Sequence, residues 1–172
     1  AGIRAVGMRA TLGQWGWDAE GVPFRATPDQ VIERQSAQLE AMPAGGLVEG
    51  WVTLVGHDLM SDELAVRASE LARTRGVGMT FHISPHAGDP VSYLARTGRR
   101  PLVHLGELGV LGPHVLLAHA VHLDDAELDQ ALEHDVAVAS CPWAYLRLAQ
   151  GFLMHQRHGD FLARGGRLAV GC

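Results

Sequence analysis

Three histidines stand where catalytic groups of an α/β protein are expected. His57, His82 and His119 each follow or close a run of mostly apolar residues of β-strand length, and the three strands are consecutive. In a barrel, the carboxyl ends of consecutive parallel strands converge on one mouth, where such folds hold their active sites. Imidazoles that meet there can share a metal ion or contact a substrate, since zinc and iron both accept neutral imidazole. The alternative is that they are rim histidines that only hydrogen-bond to neighbouring loops.

Position separates these histidines from the others. Five other histidines fall within predicted helices or beside turns, where a polar side chain needs no functional explanation. We expect the following to be ordinary surface or helix residues: His104, His114, His134, His155 and His158.

Strand-like and helical segments alternate along the chain. The apolar runs and turn signals predict six strands, separated by helices. The strands are expected over 3–10, 47–55, 77–83, 115–119, 136–142 and 168–172, and helical stretches over 28–42, 62–75, 91–94, 101–108, 124–134 and 151–164. The segment 13–21, rich in glycine and tryptophan, is predicted to be a loop.

Helix-capping residues mark the start of several helices. Thr27 can cap a helix that has proline at its first position and Gln30 at its third, a capping-box pattern. Ser61 begins a second helix, which Gly76 ends. The Asp124 side chain can cap a third helix, and Glu127 three residues later completes a capping box.

The strands are continuous apolar runs rather than alternating ones, which is typical of a parallel sheet buried on both faces. Two architectures fit, a doubly wound open sheet and a barrel. No Gly-x-Gly-x-x-Gly or phosphate-binding loop follows a strand, so the usual nucleotide-binding open sheet is not supported. The strand-end histidines favour the barrel. A whole (β/α)₈ barrel takes roughly 250 residues, so 172 residues can form only part of one.

Composition narrows the function further. The chain is 47% hydrophobic and 19% charged, with a net charge of −5, which is typical of a globular protein and argues against a nucleic-acid surface. We interpret the short basic cluster of Arg96, Arg99 and Arg100 as a solvated helix face. No apolar run is long enough for a membrane span. Cys141 and Cys172 end separate strands, so we do not expect a disulfide between them. We expect instead a reducing, cytoplasmic location.

Several segments together resemble the amidohydrolase superfamily. The resemblance lies in the branch that holds cytosine and guanine deaminases, S-adenosylhomocysteine deaminases and triazine hydrolases, and it covers nearly the whole chain in order. The segments that carry it are Gly-Met-Thr-Phe-His at 78–82, Arg-Pro-Leu-Val-His-Leu at 100–105, Leu-Gly-Pro-His-Val-Leu-Leu-Ala-His-Ala-Val-His-Leu-Asp-Asp at 111–125, Ser-Cys-Pro at 140–142, Leu-Arg-Leu at 146–148 and Gly-Gly-Arg-Leu-Ala-Val-Gly at 165–171.

The resemblance implies a metal-dependent (β/α)₈ TIM-barrel hydrolase of which this chain supplies strands three to eight. His82 matches the metal-binding histidine after strand five, and His119 matches the catalytic strand-six histidine that contacts metal-bound water or substrate. His57 resembles a substrate-pocket histidine. One divalent metal, zinc or iron, would activate hydroxide to attack a carbon–nitrogen bond of a small cyclic or amidine-like substrate.

Two positions depart from the family pattern within the chain. The deaminases carry a proton-transferring glutamate three residues after the strand-five histidine, and Pro85 stands there in this chain. Proline cannot transfer a proton, so His86 or Asp89 of the same loop is a hypothetical replacement. After Cys-Pro the branch usually has Ser-Asn, whereas Trp143 and Tyr145 follow here, which predicts an aromatic substrate-binding pocket.

A third departure concerns both ends. The family's first strand supplies a His-x-His metal pair and its eighth strand ends in an aspartate, and neither lies within residues 1–172, so we expect a barrel domain truncated at both ends that binds metal weakly alone. Unpaired sheet edges would favour a homo-oligomer. The alternative function is a non-catalytic α/β fragment or ligand-binding domain without a complete metal site.

Overall fold

The computed structural model describes residues 2–150 and 156–171, and these form two compact units. The first unit comprises Ala1–Val55 and Leu59–Thr80, and the second comprises Gly56–Asp58 and Phe81–Cys172. Cys172 and most of the first half of the helix predicted over 151–164 lie outside the described residues.

The first unit is built of parallel strands and three helices among its described residues. In chain order its elements are α1 (Gly2–Ala5), β1 (Ala10–Leu12), β2 (Trp15–Gly16), α2 (Pro28–Ala41), β3 (Val48–Gly50), β4 (Val52–Gly56, its last residue in the second unit), α3 (Asp62–Arg75) and the start of β5 (Met79–Ile83). Strand β1 pairs in parallel with β3, and β2 pairs in parallel with β4.

The helix caps predicted in this unit are confirmed. Thr27 and Gln30 form a complete capping box at the start of α2, where Val31 and Leu39 face the core. Ser61 caps α3 by accepting a hydrogen bond from the Leu64 backbone N–H. These local polar contacts satisfy backbone groups that a helix leaves unpaired at its first turn.

Two strand predictions in this unit are wrong. A strand was expected over 3–10, but Gly2–Ala5 is a short helix and β1 begins at Ala10. Val6 and Met8 are exposed, so their apolar side chains carry no information about a buried strand. The expected strand over 47–55 is two strands, and the predicted loop contains the short strand β2.

The second unit continues the alternation of strands and helices. It contains the end of β5, then α4 (Asp89–Thr97), α5 (Pro101–Glu107), β6 (Val115–His119), α6 (Asp125–Glu133), β7 (Ala137–Ser140), α7 (Pro142–Leu148), α8 (His158–Ala163) and β8 (Arg167–Val170). The strand order is β5-β6-β7-β8, and β7 pairs in parallel with both of its neighbours. The predicted parallel α/β class is therefore confirmed.

The core of the second unit is formed by side chains from its strands and its helices, and every second residue of β5 and β6 is buried. Phe81 and Leu117 come from strands, while Leu102, Leu128 and Phe161 come from three helices, and each of these side chains is at most 2% exposed. Burial of apolar surface at about 25 cal/mol per Å² is the main stabilising contribution in such a core.

The Asp124–Glu127 capping box of α6 is present as predicted. Helix α7 was not predicted: it follows Cys141, which makes no side-chain cap, and only the proline at its first position signals it. Cys141 is buried and is not part of a disulfide. Among the described residues, no helix is both long and apolar enough to cross a membrane.

The interpretation of Arg100 as a solvated residue is wrong. Its guanidinium contacts the Glu127 carboxylate at 2.6 Å and Asp124 at 2.7 Å, and it donates to the His122 carbonyl. Glu127 has no exposed surface and also accepts a hydrogen bond from the Leu102 backbone N–H. This contact joins the start of α5 to the start of α6, 27 residues apart, so the local sequence gave no sign of it.

Candidate functional site

The structure brings two of the three strand-end histidines together through their side chains. The rings of His82 and His119 stack with centroids 5.1 Å apart and planes 19° from parallel. His57 belongs to the same unit, and its ring contacts the His82 backbone: Nδ1 lies 3.3 Å from the carbonyl oxygen. The expectation that strand ends bring these residues to one place is therefore met within this unit.

The backbone at these strand ends is strained. Ser84, just after β5, has a φ of +44°, and His119 and Ala120, at the end of β6, have φ values of +77° and +51°. Residues with a Cβ atom rarely adopt this left-handed region, and such strain persists only where surrounding contacts hold it. The Ala120 N–H donates to the Ile83 carbonyl at 2.9 Å, which links the two strained strand ends.

The carbonyl oxygen of His119 accepts two side-chain hydrogen bonds. His158 donates from Nε2 at 2.7 Å, and the Tyr145 hydroxyl donates at 3.3 Å. The same hydroxyl accepts a hydrogen bond from the Cys141 backbone N–H at 2.8 Å. All three donors come from the chain after β7, and two of them contact the end of β6 directly.

The His119 imidazole is neutral at physiological pH. Its pKa is lowered to about 4, mainly by burial and to a smaller extent by the neighbouring imidazoles of His82 and His86, while Asp89 acts in the opposite direction. Its Nδ1 is buried and finds no hydrogen-bond partner within 2–150 and 156–171. A neutral imidazole offers one nitrogen lone pair, which is what a metal ion, a water molecule or a substrate N–H can use.

His57 is held in a comparable environment. It is 3% exposed, and burial lowers its pKa, although the nearby Asp58 carboxylate acts in the opposite direction. Burial in turn raises the pKa of Asp58, whose Oδ1 lies 3.3 Å from His57 Nε2. The His82 carbonyl can only accept a hydrogen bond, so the Nδ1 of His57 carries the proton and donates it. The substrate-binding role of His57 stays a prediction.

The two aromatic residues after Cys-Pro differ in exposure. Trp143 is 65% exposed on α7, whereas Tyr145 is 2% exposed and its ring centroid lies 5.6 Å from that of His119. Tyr145 therefore packs against His119, and Trp143 presents its indole at the surface. Their substrate-binding roles also stay predictions.

The loop after β5 holds the two hypothetical replacements for the missing glutamate. The His86 backbone N–H donates to the Asp89 carboxylate at 2.7 Å. His86 Nε2 lies 3.3 Å from the side-chain nitrogen of Gln150. His86 is exposed, and both residues act electrostatically on His119.

Sequence reasoning missed His158. It was expected to be an ordinary surface or helix residue, but it is 8% exposed and bonds to the His119 carbonyl. The partner lies 39 residues earlier, so nothing local to His158 signals the contact. His104 likewise contacts a buried partner, Tyr93, whose hydroxyl lies 2.9 Å from its Nδ1. His155 lies outside the described residues.

The donor chemistry at the stacked pair fits part of a metal site. Zinc accepts neutral imidazole nitrogen, and burial keeps His119 neutral. A catalytic zinc takes three protein ligands, and the described part of the chain holds no group of three His, Cys, Asp or Glu side chains suited to a metal. Within the described residues, the stacked pair therefore offers two imidazoles, fewer than the three protein ligands of a catalytic zinc.

Comparison with known proteins decides the family. The model of the Amidohydrolase family matches residues 1–160. The chain belongs to this family.

This amidohydrolase-family chain is similar to curated enzymes and to solved structures. It is 30% identical over 168 residues to a 5-methylthioadenosine/S-adenosylhomocysteine deaminase of Syntrophobacter fumaroxidans, covering 98% of this chain and 37% of the relative. An adenosine deaminase from Xanthomonas campestris with bound zinc matches with a TM-score of 0.87 at 23% identity, over 98% of this chain and 38% of the other. An atrazine chlorohydrolase from Arthrobacter aurescens complexed with zinc matches with a TM-score of 0.88 at 19% identity, over 98% and 39%.

The coverage of these matches bears on the fold. The chain spans less than two fifths of the length of these relatives, while nearly all of it is matched. The solved structures are less than 25% identical to the chain, so their likeness concerns the fold alone. The prediction that the chain forms part of an amidohydrolase barrel is confirmed.

Proposed function

We propose that this chain is part of a metal-dependent hydrolase that deaminates small cyclic or amidine-like substrates. Water replaces the amino group in such a reaction: a carbon–oxygen bond forms, the carbon–nitrogen bond breaks and ammonia leaves. Membership of the amidohydrolase family supports this proposal, and so does the deaminase name of the relative from Syntrophobacter fumaroxidans.

The observation that carries the proposal is the stacked pair of His82 and His119. Two imidazoles stand 5.1 Å apart at adjacent strand ends, and a left-handed backbone at His119 holds one of them there. Burial keeps the pKa of His119 near 4, so this ring is neutral at the pH at which a metal ion or substrate would bind.

Each predicted residue has a proposed role. His82 is the metal ligand. His119 is the catalytic residue: its Nδ1, which lacks a partner in the described part of the chain, hydrogen-bonds to the attacking water or to the substrate. His57, Trp143 and Tyr145 bind the substrate, with Trp143 supplying an exposed aromatic surface.

The cofactor is one divalent metal ion. Zinc is favoured by the zinc-bound neighbours, and iron is the other candidate. When bound, such an ion lowers the pKa of water and so supplies a nucleophile near neutral pH. His82 would hold the ion, and His119, which is 8% exposed, would orient the reacting groups.

The proposed partner is a small molecule. We propose no binding to nucleic acid or to a membrane. We propose that the protein forms a homo-oligomer. We also propose a cytoplasmic location, with which the absence of a disulfide at Cys141 is consistent, since oxidising compartments favour disulfides.

The experiment is an ammonia-release assay on the protein as its organism makes it. The panel contains 5-methylthioadenosine, S-adenosylhomocysteine, adenosine, guanine and an aminotriazine. We expect release from at least one compound, loss of release after treatment with a chelator, and recovery on adding zinc or iron.

A variant of the proposed catalytic residue and a matched control sharpen this assay. His119→Asn should lower kcat by about 100-fold or more if the residue acts at the reacting groups. The matched control is His134→Asn, at the end of α6 and outside the site, which should keep wild-type turnover. Ammonia release that a chelator leaves unchanged contradicts a metal-dependent hydrolase.

A further inference from the structure

The His119 carbonyl is a point where two side chains from the segment after β7, those of Tyr145 and His158, contact the end of β6. We propose that His158 is a positioning residue, which holds the strained His119–Ala120 backbone and thereby directs the His119 imidazole onto His82. The inference rests on the proposed function, because it assigns His158 a part in the same site.

The hydrogen bond fixes which nitrogen of His158 carries a proton. A carbonyl oxygen can only accept, so the Nε2 that lies 2.7 Å from it must donate. Nδ1 is buried and has no hydrogen-bond partner in the residues described. Burial lowers the pKa of His158, so the ring stays neutral with its proton on Nε2. The polar contact that this ring makes with the described residues is therefore directed at the backbone of the β6 end.

The backbone at His119 and Ala120 is strained, so it needs contacts that stabilise it. His119 and Ala120 are two successive residues with a Cβ atom and a positive φ, at +77° and +51°. The φ of His119 sets the direction of its Cα–Cβ bond and so of its ring. Release of the carbonyl would let this segment relax toward an ordinary extended backbone, which would move the ring away from its stacked position on His82.

Tyr145 does not replace His158 in this role. Its hydroxyl reaches the same carbonyl at 3.3 Å, a longer and weaker contact than the 2.7 Å of His158. The hydroxyl also accepts a hydrogen bond from the Cys141 N–H. Tyr145 on α7 therefore makes the longer hydrogen bond to the carbonyl. His158 on α8 makes the shorter one.

The test compares three variants of α8. His158→Phe keeps a ring and removes the donor, while His158→Gln retains an N–H at nearly the same distance from the backbone. Phe161→Leu is the matched control, because Phe161 is 1% exposed on the same helix and its substitution weakens packing without touching the donor. Ammonia release gives kcat and KM, and NMR follows the His119 ring signals and its one-bond Cα–Hα coupling, which reports a positive φ.

We expect His158→Phe to lower kcat by about 10- to 100-fold with KM nearly unchanged, as a displaced catalytic group does. The His119 signals should shift in His158→Phe and return toward wild type in His158→Gln. Phe161→Leu should lower the melting temperature and leave both kcat and the His119 signals near wild type. If His158→Phe does not fold, His158→Asn, whose shorter amide falls short of the carbonyl, takes its place.

Two results overturn the inference: unchanged kcat and unchanged His119 signals in His158→Phe, or an equal loss of kcat in Phe161→Leu. Absence of ammonia release from the wild type overturns the proposed function instead. In that case the NMR comparison alone decides on His158, since it needs no turnover.

Discussion

The imidazole rings of His82 and His119 stack 5.1 Å apart at the ends of neighbouring strands β5 and β6. The backbone of each is held by another histidine: His57 Nδ1 lies 3.3 Å from the His82 carbonyl, and His158 Nε2 lies 2.7 Å from the His119 carbonyl. The side chains of His82 and His119 thus contact each other. The side chains of His57 and His158 contact the backbone carbonyls of these two residues.

The lowered pKa of His119 predicts a pH-dependent stability in metal-stripped protein. An unfolded histidine has a pKa of about 6.5, so between pH 6.5 and 4 the unfolded chain binds a proton that the folded one does not. The free energy of unfolding should therefore fall as the pH drops through this window, by about 3 kcal/mol at most for this residue.

Urea unfolding of wild type and His119→Asn at pH 7 and pH 4.5 checks this prediction. His57 and His158, whose pKa values burial also lowers, add to the slope, and Asp58 and Glu127, whose pKa values burial raises, oppose it. The variant should lose less stability than wild type over the same interval. Equal losses in the two proteins would contradict the assigned pKa of His119.

The buried carboxylate of Glu127 should be a major contributor to stability. Glu127→Ala leaves the Arg100 guanidinium without its fully buried partner and the Leu102 N–H without an acceptor. We expect a loss of about 3 kcal/mol in the free energy of unfolding, as for other broken buried ion pairs. Glu133→Ala, at an exposed position of the same helix, should change it by about 0.5 kcal/mol or less. Chemical denaturation measures both, and equal effects would refute the assignment.

Gly78 is required by a close approach in the first unit. A Cβ atom at this position would lie 2.5 Å from the ring of Trp51, so Gly78→Ala should destabilise by about 1–3 kcal/mol through overpacking. Gly88→Ala is the control, because nothing lies within 4 Å of its added Cβ and its φ of −75° suits alanine. Thermal unfolding of the two variants compares them directly, and a neutral Gly78→Ala would contradict the described packing.

Much of the fold could be predicted because its signals are local. The caps at Thr27, Ser61 and Asp124 each involve residues three positions apart, and all three helices begin where the sequence indicates. The strand from Val115 to His119 was also predicted at its observed bounds, since a continuous apolar run ends there at a polar residue.

The parts that could not be predicted depend on distant contacts. The environment of His158 is set by a carbonyl 39 residues away, and that of Arg100 by a carboxylate 27 residues away. The error at residues 3–10 has the opposite cause: Val6 and Met8 are apolar but exposed, so hydrophobicity alone misled. Sequence placed His82 and His119 at strand ends, but the strained backbone that orients His119 has no local sequence signal, since neither His119 nor Ala120 is glycine.

The most direct test of the metal site is native mass spectrometry of the protein as its organism makes it, with His82→Ala and His134→Ala as variants. We expect one zinc or iron ion on the wild type and on His134→Ala, whose side chain lies at the end of α6. His82→Ala should lose the ion and, with it, ammonia release. Full metal content and full turnover in His82→Ala would contradict the assignment of His82 as a metal ligand.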